Sequence, residues 1–155
     1  MTTFDMRNEL SSLLRSTLYI SDESLSIATD YLLRHGVTVK PKIDIRVLLD
    51  QMGIPQKYVG YQYLIEVLDV TTRDPRSVNG FFNTIVSEIA ERNNVSPHTV
   101  YDGIKNAIRS AFINPTETLL NIFSYRGYIM RPKITPKYFI SKVTMYITMN
   151  YTCRK

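Results

Sequence analysis

Six side chains in one short stretch carry the hydrogen-bonding chemistry that reads a nucleobase edge: His98, Thr99, Tyr101, Asp102, Lys105 and Asn106. Asn both donates and accepts, Lys donates, and Asp accepts from the exocyclic amine of cytosine. Lys105 and Asn106 are the strongest candidates for base contact. Around them stand groups suited to phosphate oxygens: Arg73, Arg76, Ser96 and Arg109, then the run Arg126, Arg131, Lys133 and Lys137. Phosphate contacts fix register and make affinity salt-dependent, but they carry little sequence information. Catalytic chemistry lacks a comparable footing. The chain has no G-x-S-x-G, no HExxH and no phosphate-binding glycine loop. Glu88 and Glu91 fall on the outward side of a helix. An enzyme is therefore not expected.

Those six residues need a helix to present them, and residues 86–108, VSEIAERNNVSPHTVYDGIKNAI, supply a helix-turn-helix pattern. Ile89 and Ala90 close a first helix, with Ala90 small where the second must cross. Asn93 and Asn94 sit at the corner, and Asn tolerates a left-handed backbone better than other non-glycine residues. Val95 is expected to plug the corner. Ser96 is a good N-cap, and Pro97 suits the first helical position, where its missing N–H does no harm. Val100, Ile104, Ala107, Ile108 and Ala111 then recur at helical spacing. The opposite, polar face of helix 97–112 is expected to enter the major groove of duplex DNA.

The rest of the chain reads as all-α. Two helices are expected in an N-terminal extension, residues 1–40, from Thr3 to Leu18 and from Ser21 or Asp22 to Gly36. Val37–Pro41 is the best linker. A six-helix bundle should occupy residues 41–155. Its segments run from Ile43 to Met52, from Gly60 to the Asp74-Pro75 break, over 78–92 and 97–112, from Thr116 through Phe123, and from Thr135-Pro136 to about Met149. Arg126 to Thr135 reads as a basic loop. The clustered Tyr58, Tyr61 and Tyr63 could form a stacking platform for single strands, but their helical spacing beside Leu and Ile favours core packing.

At 155 residues, 44% hydrophobic and 21% charged, the chain can bury a core without cross-links. The net charge of +5 is unevenly spread. The first fifty residues hold six Lys/Arg against seven Asp/Glu, and the remainder thirteen against seven. A basic half suits a polyanion. The single Cys153 permits no internal disulfide, and His35 and His98 are too far apart in sequence to suggest a metal site. No cofactor is implied. Early charges at Asp5, Arg7 and Glu9 argue against a signal peptide, and no apolar run approaches the ~20 residues that span a bilayer. A cytoplasmic protein is expected.

Several stretches, in order, carry a family resemblance. They are Met52-Gly53-Ile54-Pro55, GYQYLIEVLD at 60–69, the helix bearing Ile85, Ile89 and Ala90, the Ser96–Phe112 segment with Gly103 to Ile108, Leu119–Tyr125, and Lys133–Ile140. Residues 43–150 thus resemble the C-terminal DNA-binding effector domain of stage-zero sporulation protein A, the sporulation regulator of endospore-forming Firmicutes. The resemblance implies a six-helix domain that binds double-stranded DNA as a transcriptional regulator, with homodimer-like pairing on its sites. Full-length members carry a receiver domain in front. The roughly forty residues found here read as two helices, which would dimerise or receive a protein partner. Two outward positions depart from the family: Asp102 stands where it has an arginine, and Tyr101 where it has a glutamate. Lys105 keeps the family's positive charge. The alternative reading is a degenerate interaction module that has lost DNA binding and modulates another regulator.

Overall fold

A computed structural model describes residues 3–17, 21–36, 42–125, 128–129 and 134–151. The chain divides into two units, Met1–Pro41 and Lys42–Lys155.

The first unit is a pair of helices, α1 (Thr3–Thr17) and α2 (Asp22–Arg34). Ser21 caps α2, its Oγ accepting from the Ser24 N–H at 3.3 Å. Gly36, with φ +76°, ends it in the left-handed conformation that glycine adopts without penalty. Leu10 and Leu25 are buried in this unit, as is Thr29, whose hydroxyl donates to the Leu25 carbonyl at 2.7 Å. Arg7 pairs with Asp30, and Arg15 with Asp22 at 2.7 Å. Leu13 is 46% exposed.

Among its described residues the second unit is mostly helical, with one two-stranded ladder and a bridge residue at Lys42. It contains α3 (Ile45–Gln51), α4 (Val59–Arg73), α5 (Ser87–Arg92), α6 (Pro97–Ala111), α7 (Glu117–Phe123) and α8 (Pro136–Asn150). This matches the expected all-α class and six helices. Local chemistry sets most of the helix starts. Asp44, Ser96, Thr116 and Thr135 each accept a backbone N–H two or three residues on, and Pro occupies the first position of α6 and α8.

The helix expected over 78–92 is not one α-helix. Asp74 caps a 3-10 segment, Pro75–Gly80, which passes into a π-helical segment, Phe81–Val86, and only then into α5. The Ser87 hydroxyl donates to the Phe82 carbonyl at 3.1 Å, satisfying a group in the widened turn. The expected loop at Arg126–Thr135 is also amended. Tyr128–Ile129 pairs antiparallel with Ser124–Tyr125, Ser124 opposite Ile129.

The centre of the unit is α4, which packs against both α6 and α8. Leu64, Val67 and Leu68 are fully buried there with Ile104 and Ile108 of α6 and Phe139, Ile140, Val143 and Ile147 of α8. The α4–α6 crossing is very close. A Cβ on Gly60 would lie 2.0 Å from the Gly103 carbonyl oxygen. Between α4 and α8 the buried Thr71 and Thr144 hydroxyls satisfy each other at 2.7 Å. Tyr61 and Tyr63 are core residues, as their spacing suggested, but Tyr58, the residue before α4, is 36% exposed. The Tyr61 hydroxyl donates to Asp50 Oδ1 at 2.8 Å.

Candidate nucleic-acid interface

Asn93 ends α5, and its Nδ2 donates back to the Ile89 carbonyl at 2.8 Å. Asn94 takes the left-handed conformation, φ +53°, among the described residues the one non-glycine position with positive φ. The chain thereby turns in four residues, and the N–H groups of Asn94 and Val95 reach back to Glu91 and Ala90. Val95 does not plug the corner. It is 37% exposed, and its backbone rather than its side chain closes the turn. Ala90 is buried, as a close crossing requires.

Helix α6 then presents two faces. Val100, Ile104, Ala107, Ile108 and Ala111 are buried, the five positions expected from periodicity. His98, Thr99, Asp102, Lys105, Asn106 and Arg109 are exposed. Within this set His98, Asp102, Lys105 and Arg109 fall at i, i+4, i+7 and i+11, a single stripe on the helix. The stripe holds one carboxylate and two cations.

Tyr101 departs from the expected outward placement. It is half-buried, its ring edge-on to Phe82 at 5.7 Å and tilted on Phe81 at 6.3 Å. His98 also rests on Phe82, ring centroids 5.4 Å apart. The aromatic pair of the π-helical segment thus holds the start of α6. Thr99 and Ser96, read as base and phosphate contacts, share a hydroxyl–hydroxyl bond of 2.9 Å within the cap.

The expected phosphate-binding cations are only partly brought together. Lys137, in the first turn of α8, lines a groove of about 610 Å³ with Asn79, Phe82, Asn83, His98 and Tyr101. Arg76 is exposed, on the 3-10 segment. Arg73 is exposed but engaged, its guanidinium 2.6 Å from Asp69. Arg92, not singled out from sequence, is likewise held by Glu66 at 3.0 Å. Arg126, Arg131 and Lys133 lie outside the described residues. Asn79 and Asn83 were also missed, having no motif to mark them. Their one sequence signal is a pair of amides flanking Phe81-Phe82.

Among the described residues no cluster of three His, Cys, Asp or Glu could hold a metal. No helix of the described residues is long and apolar enough to cross a membrane.

The class defined by this fold and face is an all-helical domain that offers a capped, polar-faced helix to solvent. The family model of the sporulation initiation factor Spo0A C terminal matches residues 45–147, and the chain belongs to that family. No receiver domain is evident within the 155 residues. The family is one of DNA-binding sporulation transcription-factor domains, not an enzymatic one. The protein is accordingly a DNA-binding regulator in the general sense.

Proposed function

We propose that α5, the Asn93–Ser96 corner and α6 act as a helix-turn-helix, with α6 lying in the major groove of double-stranded DNA. One observation carries this reading: the short, capped corner leaves the polar stripe of α6 outward while its apolar stripe is locked into the core. Lys105 and Asn106 are the principal base readers. His98, Thr99 and Asp102 flank them, and Tyr101 contributes from the edge of its aromatic seat. Arg109, Arg76, Lys137 and Ser96 contact phosphates, together with Arg126, Arg131 and Lys133. Arg73 joins them by exchanging Asp69 for a phosphate, a small cost because an exposed ion pair is worth only about 0–1 kcal/mol. The protein works in the cytoplasm, as a homodimer joined through the N-terminal unit.

Affinity for a duplex selected from a random library, measured across a salt series, tests the assignment. Lys105→Ala is expected to weaken binding and relax base preference. Arg109→Ala is expected to weaken it uniformly and lower the log–log salt slope by about 1. Unchanged affinity and slope in both variants would remove α6 from the interface.

A further inference from the structure

We propose that α2 is a self-complementary pairing helix, and that its occupant is α2 of a second copy, antiparallel across a two-fold axis. This deepens the homodimer reading by naming its surface.

Among the described residues of the first unit the buried apolar side chains are Leu10 and Leu25. The face of α2 turned from Leu25 and Thr29 carries further apolar surface, with Ile27 65% exposed and Tyr31 60% exposed, and its burial would add about 1.5–3 kcal/mol for each fully covered side chain. Tyr31 is already held in place. Its ring stacks on His35 at 4.1 Å, and His35 Nδ1 lies 2.7 Å from the Tyr31 carbonyl oxygen. Ordering this side chain on association therefore costs little further entropy.

Charge and spacing select the occupant. Glu23, Ile27, Tyr31 and Arg34 occur at i, i+4, i+8 and i+11, one stripe along α2. Reversed on itself, the stripe matches. Ile27 falls opposite Tyr31 of the other copy, and Glu23 within one residue of Arg34, an offset of about 1.5 Å that long side chains bridge, each contact occurring twice. This is the pattern an isologous two-fold contact demands. Glu23 and Arg34 are both exposed and form no ion pair among the described residues. A parallel pairing would instead set Glu23 against Glu23 and Arg34 against Arg34. The opposed helix dipoles add to the antiparallel preference. Two paired helices about 20 Å long make a contact at the small end of specific interfaces, the class of weak and reversible associations. On DNA, two copies on adjacent sites meet at a far higher effective concentration.

Sedimentation velocity of the full chain without DNA, over a range from below to well above micromolar, tests this independently of the DNA reading. The wild type should pass from monomer to dimer. Ile27→Glu should stay monomeric. Glu23→Lys and Arg34→Glu should each weaken the dimer about tenfold by turning two attractions into two repulsions. The double variant E23K/R34E should recover it. All three substitutions lie at exposed positions, and circular dichroism should show unchanged helicity in the four variants. A wild type that stays monomeric throughout, a dimer that survives Ile27→Glu, or charge swaps without mutual rescue would overturn the proposal.

Discussion

Asp102 puts a carboxylate within a stripe that otherwise runs His98, Lys105, Arg109. On a phosphate lattice that charge is repelled. As a reader of the cytosine amine it would instead select sequence. The two roles separate experimentally. Asp102→Arg is expected to raise affinity for random duplex about tenfold at low salt and to steepen the salt slope by about 1, as one more phosphate is neutralised. Asp102→Ala should then raise affinity by a smaller factor without altering base preference. If Asp102→Arg weakens binding to the selected duplex instead, Asp102 is a base reader and the repulsion argument fails. His98 belongs to this scale too. Its ring is committed to Phe82, so Phe82→Ala should weaken DNA binding indirectly, by freeing His98 and Tyr101, with helicity retained.

Among elements, the α4–α6 crossing is the most constrained contact. Gly60 faces backbone, and a methyl group there would collide with the Gly103 carbonyl; Gly103 itself faces the Tyr63 ring and a Val59 methyl at 3.4 Å. The two glycines are therefore unequal. Gly60→Ala is expected to force the helices apart and destabilise by about 1–3 kcal/mol or more. Gly103→Ala should be close to neutral, because the helix propensity gained, about 1 kcal/mol, offsets a tight contact. Urea titrations of the two variants check this, and equal losses would show that the crossing is not set by Gly60. Such elements also mark what sequence can carry. Ser21, Ser96, Thr116 and Thr135 were legible as helix starts because capping is local chemistry. Asn94 was legible because few residues accept its conformation. The 3-10 and π-helical segments were not, because Val78, Phe81, Ile85 and Ile89 are spaced as in an α-helix, and apolar periodicity does not distinguish the three. Burial of Tyr101 was hidden for another reason: it depends on Phe81 and Phe82, about twenty residues away. The exposed stripe of α6 was readable because the buried stripe opposite it is regular. The groove that brings Lys137 to His98 was not, since it joins segments some forty residues apart.

For the whole molecule, pH reports how firmly α3 is fastened to α4. Burial, then the hydrogen bond to Asp50, pushes the Tyr61 phenol up to about 12. Asp50 is held below its usual value, first by the Gln56 amide and then by the Tyr61 hydroxyl. The signs differ. Tyr61 keeps its proton more tightly when folded, so its contribution is intact below the unfolded value near 10 and is lost as pH rises from there through about 12. The loss is on the order of 2 kcal/mol, because the folded state must either ionise a buried phenol beside a carboxylate or open. Asp50 contributes above the unfolded carboxylate value, and that contribution fades as pH falls through its lowered folded value. Thermal melts between pH 8 and 12 should therefore show a fall in Tm that begins near pH 10. Tyr151, raised by burial and then by its bond to Tyr146, adds to the same limb, so a control is needed. Tyr61→Phe should be less stable than wild type at pH 8, where the bond to Asp50 is missing, but should lose less between pH 10 and 12. If its alkaline limb parallels that of the wild type, the α3–α4 fastening is not what alkali releases.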